Sequence, residues 1–304
     1  MTPMDFRIPD TDRWTADPAL KGTGLARLIA RYLLISEDRA EDLIDFGSVY
    51  IDGRVERNPA RTLRGGEEIV VNWPRHGTQR HYEIDPARIL YRDAHLLAYD
   101  KEAGVPSQQT PADAYNNLYA ALIRFLAGEA RASAPYVALH HRLDRETSGV
   151  MVFALDRAVN RRLGESFQEK RVVKDYLAWV DGVPVLDRWT AVEDICRKDG
   201  RYRTCPQGRG KAARTLLRVL LRAGDRALIA ARPVTGRTHQ IRLHLAACGH
   251  PVIGDRLYGG TSGERLHLHA LRLRLPHPKH DSELVLSAPV PEYWPEPRAV
   301  DIPD

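Results

Sequence analysis

Only three cysteines, Cys196, Cys205 and Cys248, occur in the 304 residues of this chain. They are too few and too irregularly spaced for a disulfide framework, and no Cys-x-x-Cys pair is present to hold zinc. Reduced thiols in a cytoplasmic protein are the simpler expectation. Long apolar runs are also missing, none approaching the roughly eighteen residues of a membrane-spanning helix. The opening MTPMDFRIPDTDRW is polar and acidic without an apolar core, so neither export nor membrane insertion is expected. Nucleotide-binding signatures are absent as well. The segment CPQGRGKAAR contains a Gly-Lys pair, but Cys205 stands where a phosphate loop needs its first glycine, and Ala212 replaces the Ser or Thr after the lysine. No complete dinucleotide fingerprint appears. His267 and His269 point the same way on a strand and lack a third ligand, so no metal site is expected.

What is present describes a folded, basic protein. Hydrophobic residues at 43% and charged residues at 28% suffice for a core, and the length favours one sizeable domain plus a smaller one. The net charge of +5 comes from 45 basic residues, mostly arginine, spread along the chain. Arginine binds phosphate through a bidentate fork, so a nucleic-acid partner fits this charge, as does a merely well-solvated surface.

The pattern along the chain changes several times. Residues 1–19 are polar, with prolines and aspartates, and read as a tail. Leu25, Leu28, Ile29, Tyr32 and Leu33, then Ala40, Leu43, Ile44 and Phe46, recur at helical spacing and predict two short helices parted at Ser36. SVYIDG and EEIVV follow as short strands, with a turn at Asp52-Gly53, closing a unit over 20–72. Residues 24–55, GLARLIARYLLISEDRAEDLIDFGSVYIDGRV, resemble the S-four-like RNA-binding module, an Arg-rich helix pair followed by G-x-V-x-x-x-G. Glu37 and Asp38 depart from it, standing where that module usually has a basic residue. The same letters also describe a small helical cap that touches no RNA.

Residues 73–86 mix Pro, Gly and charge without periodicity and read as a linker. A second domain is expected over 87–290, with a Pro-rich, acidic tail over 291–304. Strands are predicted at ARILYRDAHLLAYDKEAG, GVMVFAL, VVKDYLAWV, TLLRVLLRAGDRALIAA and RLHLHALRLRL, with a helix opened by Asp156. Strands outnumber helices and several pair as hairpins, which predicts an α+β fold with a mixed, largely antiparallel sheet.

The densest chemistry lies in HHRLDRETSGVMVFAL, where a polar loop runs directly into an apolar strand. A strand can hold such a loop rigidly. Residues 141–149 resemble the H-R-L-D-x-x-T-S-G motif that defines the RluA family of RNA pseudouridine synthases, in which the aspartate is essential. KDYLAWVDG, GKAARTLLRVL, PVTGRTHQIRLHLAACGHPVIGD and RLHLHALRLRLPHP resemble further family segments, in the family's order. One departure lies at Asp100-Lys101-Glu102-Ala103-Gly104, where the family has N-K-P-x-G; losing the proline affects that turn.

The resemblance implies a catalytic domain of pseudouridine synthase type behind a small N-terminal α/β RNA-binding domain. It also implies isomerisation of a uridine in structured RNA, without a cofactor or an obligate protein partner. The reaction breaks the N1–C1′ bond, turns the uracil over and joins its C5 to the same sugar. Asp144 becomes the catalytic carboxylate, either attacking C1′ or removing the C2′ proton, and both roles need the ionised form. The family places Tyr176 against the uracil, with a possible part in C5 deprotonation, and Arg237 beside Asp144. His141, Arg142, Thr147, Lys174, His239, Gln240 and Arg242 are expected to bind the RNA or the flipped base, Arg142 filling the space that base leaves. By residue pattern alone, Tyr176 also reads as a core tyrosine and TGRTHQIR as an ordinary amphipathic helix. Ribosomal RNA is the favoured substrate and transfer RNA the alternative. A non-catalytic RNA binder and a base-releasing glycosidase remain the competing readings.

Overall fold

The computed structural model describes residues 11–129, 135–261, 263 and 265–294. The chain divides into two compact units, residues 1–83 with 108–125, and residues 84–107 with 126–304.

The first unit begins with strand β1 (Thr11–Thr15), then helices α1 (Leu25–Leu33) and α2 (Glu37–Asp45), then β2 (Val49–Ile51), β3 (Arg54–Glu56) and β4 (Glu68–Asn72). The strands form one antiparallel sheet in the order β1-β4-β2-β3. Leu25, Leu28 and Ile29 of α1 and Leu43 and Ile44 of α2 pack onto Val49, Ile69 and Val71. Glu37 and Asp38 sit in the first turn of α2 behind the Ser36 cap, where the helix dipole favours acids. That position accounts for the departure from a basic residue there. Asp52 and Gly53 both take positive φ, as a two-residue hairpin turn of right-handed strands requires.

Four of the expected assignments differ. Thr11–Thr15, taken for tail, is an edge strand: Trp14 packs on the core of the unit, and the Trp73 indole donates to Asp12 at 2.6 Å. An edge strand needs only one apolar contact face, which a polar-looking segment can supply. Residues 108–125, expected in the second domain, belong to the first unit. There Ser48 donates to the Ala112 carbonyl, and Asn116 accepts the His81 and Tyr82 N–H groups. Those last contacts also draw much of the expected linker into this unit. The expected C-terminal tail is anchored at Trp294, which is buried with Leu177, Trp179 and Leu228; residues 295–304 lie outside the described residues, as do 1–10 of the N-terminal tail.

The second unit is built on a ten-stranded sheet. In chain order its elements are β5 (Ile89–Arg92) and β6 (Leu96–Lys101); α3 (Leu118–Glu129), which runs across the division between the units; and β7 (Ala138–Leu139), β8 (Ser148–Ala154), α4 (Arg157–Gln168), β9 (Val173–Asp181) and β10 (Arg188–Ala191). Then come the separate hairpin β11 (Asp194–Lys198) and β12 (Arg201–Cys205), and β13 (Thr215–Ala223), β14 (Arg226–Pro233), α5 (Gln240–Ala247), β15 (Leu268–Pro276) and β16 (Glu283–Ser287). The sheet runs β10-β13-β14-β9-β15-β8-β6-β5, with β16 beside β15 and β7 beside β8. Among the described residues only the β15–β8 pair is parallel. The sheet is therefore mixed and largely antiparallel.

Every residue of β8 is buried, and Val150 and Val152 pack against Val159 and Leu163 of α4, whose N-cap is Asp156. On another stretch of sheet, Ile241 and Leu245 of α5 bury against Ala178, Val180, Leu217 and Ile229. Burying those two side chains contributes on the order of 4 kcal/mol and fixes the rotation of α5. Gly149 sits where β8 meets β15, with φ of 113°, and a Cβ there would overlap the Ala270 carbonyl. Gly149→Ala is expected to destabilise the protein by on the order of 3 kcal/mol. A urea unfolding midpoint equal to wild type would show that β8 and β15 are not pressed together at this residue.

Candidate active site

A cavity of about 310 Å3 opens in the second unit between the loop preceding β8, the start of β9 and the loop leading into α5. Asp144, Arg142, His141, Thr147, Lys174, Tyr176, Arg237, His239, Gln240 and Arg242 all line it. Every expected site residue is thus at the cavity wall, although their tasks differ.

Asp144 is a quarter exposed, and its Oδ2 lies 3.4 Å from Nη1 of Arg242 and 3.8 Å from Nε2 of His239. The expected ion-pair partner, Arg237, does not fill that place. Its Nε donates to the Ala212 carbonyl at 3.0 Å, and it precedes α5 in a loop instead of standing on the helix. Arg242 lies within α5, buried, and its other nitrogens fork onto Asp255, Nε to Oδ2 at 2.7 Å and Nη2 to Oδ1 at 2.8 Å. Asp255 also accepts the Leu257 and Tyr258 N–H groups. A bidentate fork fixes the guanidinium plane, so the remaining nitrogen points at Asp144.

The Tyr258 ring lies under that guanidinium at 5.1 Å, and its hydroxyl shares a 2.7 Å hydrogen bond with Nδ1 of His239. Burial pushes the phenol up to about 12, so it keeps its proton and donates it to the imidazole. Burial lowers His239 from its ordinary value, favouring a neutral ring whose Nε2–H faces Asp144. His239 holds a left-handed φ of 56°, which costs a non-glycine residue about 1 kcal/mol and is kept by these contacts. Tyr176 is pushed well above the ordinary phenol range by burial first and by the Asp144 charge second.

Other expected binders are occupied. His141 Nε2 accepts the Val152 N–H at 3.0 Å, and its ring stacks on Phe167, so it pins the loop to β8; burial holds it well below the ordinary imidazole range. Gln240 accepts from Thr235 Oγ1 and Arg237 N–H and donates to Arg214 O and Thr215 Oγ1, which uses the whole amide to shape the 235–237 turn. Thr147 is buried, its N–H turned back to the Asp144 carbonyl. Lys174 lies over the Phe167 ring, its pKa lowered by burial. Arg142, in contrast, is exposed, with no hydrogen-bond or ion-pair partner among the described residues.

The sequence marks Lys101 only through its turn, yet it is fully buried and its ammonium donates to the carbonyls of Glu102, Val105 and Arg145 at 2.7, 2.8 and 3.0 Å. Gly104 N–H joins it on Arg145 O at 2.8 Å. The turn without its proline is therefore held by a cation that also ties down the loop carrying Asp144. Burial pushes Lys101 down to about 7, against the pull of Glu102, Glu146 and Asp144. Asp255 and Tyr258 were missed; GDRLYG after the third segment was their signal. Of the paired histidines, His269 Nδ1 is bonded to Ser148 Oγ at 2.9 Å. One cluster with metal-ligand side chains, Asp93, His277 and His280, occurs among the described residues. His277 Nδ1 accepts two backbone N–H groups, which leaves its proton on Nε2 facing Asp93, a hydrogen-bonded corner unsuited to a metal.

A family model described as RNA pseudouridylate synthase matches residues 95–247. Ribosomal large subunit pseudouridine synthase D of Xanthomonas campestris pv. campestris is 34% identical over 276 residues, spanning 84% of this chain and 82% of its own. Dual-specificity RNA pseudouridine synthase RluA of Salmonella typhimurium is 34% identical over 66% of this chain and 92% of its own. Among solved structures, human RNA pseudouridylate synthase domain containing 4 is similar with a TM-score of 0.57 at 28% identity, covering 68% of this chain and 90% of that one.

The two arginines differ in what their surroundings demand. Asp255→Ala strands the buried Arg242 guanidinium and two backbone N–H groups, and is expected to cost about 3–5 kcal/mol in urea unfolding. Arg237→Ala removes one exposed carbonyl contact and should cost under about 1 kcal/mol. Equal losses would contradict the assignment of the buried pair to Arg242.

Proposed function

Because the chain belongs to the RluA family of RNA pseudouridine synthases, isomerases that act on RNA, we propose that Asp144 is its catalytic carboxylate and that its substrate is ribosomal RNA. The observation that carries the first part is the single carboxylate in the cavity faced by a fixed guanidinium. The second rests on the similarity, over most of both chains, to a relative named for the large ribosomal subunit.

In this reading the target uridine is flipped into the cavity, at a cost of a few kcal/mol. Arg142, exposed and unpartnered, enters the space it vacates. Arg242 faces Asp144 and orients it. As a nucleophile, the carboxylate attacks C1′, and the N1–C1′ pair leaves with the uracil. The base turns, C5 attacks C1′ and expels the carboxylate, the C5 proton departs to a base, and N1 regains a proton. As a C2′ base, the same anion acts on the neighbouring carbon.

Tyr176 serves as the wall against which the uracil packs. A phenol whose pKa is raised by burial is a poor proton acceptor, so the regenerated Asp144 carboxylate is the stronger base for C5. The first unit, with its helix pair and antiparallel sheet, contacts flanking RNA.

Asp144→Asn should reduce tritium release from C5-labelled ribosomal RNA by at least about a thousandfold, with RNA affinity kept within about twofold. Carbodiimide-dependent reverse-transcription stops would map the wild-type site. Free uracil in place of pseudouridine, or modification confined to transfer RNA, would overturn the corresponding half of the proposal.

A further inference from the structure

The large sheet carries a concentration of arginine on the face turned away from α5. Alternation along the strands directs Trp189, Leu217, Ala231 and Tyr176 toward α5, so Arg188, Arg218, Arg232 and Asp175 project from the opposite face. Asp175 is the buried carboxylate there, and two cations consume it: Arg232 Nε at 2.7 Å and Arg272 Nη2 at 3.0 Å. Arg188 and Arg218 stand directly opposite each other on β10 and β13. Among the described residues neither has a hydrogen-bond or ion-pair partner. Some other surface arginines are paired, such as Arg92 with Glu129 and Arg222 with Asp187.

Like charges directly opposite on an antiparallel pair repel, so this arrangement weakens the sheet unless an anion joins it. A groove of about 390 Å3 passes over these residues and is floored in part by Leu216, itself 36% exposed. β10 ends the strand order, so the groove reaches the rim of the sheet.

We propose that this arginine groove is a second contact for the phosphodiester backbone of the substrate RNA, separate from the cavity that takes the uridine. The contact rests on the reading of structured RNA as substrate. Each unpaired guanidinium offers a fork to non-bridging phosphate oxygens, and Leu216 and Thr190 supply room for a ribose between them. Such contacts place the RNA without reading its bases, so they act on long substrates that extend beyond the cavity.

The test uses the full chain with the double variant Arg188→Ala/Arg218→Ala, neither residue lining the cavity. Affinity is measured across a salt series for a long ribosomal RNA fragment and for a short stem-loop bearing the target uridine. For the long RNA, a loss of about tenfold or more is expected, with the slope of log affinity against log salt shallower by about 1.5, as two lost phosphate contacts require. Stem-loop affinity and isomerisation should stay as in wild type, with the thermal midpoint not lowered. Unchanged affinity and slope on long RNA that the wild type isomerises would overturn the contact alone. Failure of the wild type to isomerise ribosomal RNA at all would overturn the substrate reading, and this contact with it.

Discussion

The Arg242 guanidinium stands between two carboxylates, and the order of the site follows from how it is divided. Asp255 takes two of its nitrogens in a buried fork, and Asp144, partly solvated, meets the third. Burying such a pair is costly unless geometry and additional hydrogen bonds compensate, and the two N–H groups reaching Asp255 supply them. The cation is thereby fixed in plane and position before any substrate arrives. A lysine at this position would offer a point charge on a flexible stem and no such direction. Tyr258, beneath the guanidinium and bonded to His239, extends the same constraint to the imidazole that faces the same Asp144 oxygen.

Around this centre the polar groups fall into those that build and those that remain available. His141, Gln240 and Lys101 are committed to backbone partners, each holding a different segment of the cavity wall. Lys101 is the most constrained: three carbonyls face its ammonium from two segments of chain, which replaces the rigidity that a proline would have given the turn. Arg142, exposed and uncommitted, differs from all of these. In the proposed reading Arg142 enters the RNA as the base leaves, and being unbound beforehand favours that step, since no protein contact has to be broken first.

Legibility in the sequence followed how local the determining contacts were. Asp144, Arg142 and Thr147 share one short loop, and a contiguous motif exposed them. The alternating letters of β9 and β13–β14 and the fully apolar β8 were equally plain, because pleating and burial act residue by residue. Arg237 and Arg242 are five residues apart in one segment, and the choice between them depends on where α5 begins and on Asp255, both set by tertiary contacts. Gln240 looked like an RNA ligand because its acceptors, Arg214 and Thr215, are remote in sequence. The return of residues 108–125 to the first unit left no periodic signal, since hydrogen bonds from Asn116 and Ser48, more than hydrophobic pattern, secure it. Thr11–Thr15 was read as tail because an edge strand needs so little apolar surface.

Strand β9 links the cavity to the far face of the sheet. Its neighbouring residues Asp175 and Tyr176 point to opposite sides, the carboxylate into a buried cluster with Arg232 and Arg272, the phenol into the cavity. A slip of one residue in register would exchange them, driving a charge into the cavity wall and leaving two guanidiniums without their anion. The buried ion cluster therefore opposes a one-residue slip of β9, and in doing so it helps to fix where Tyr176 stands.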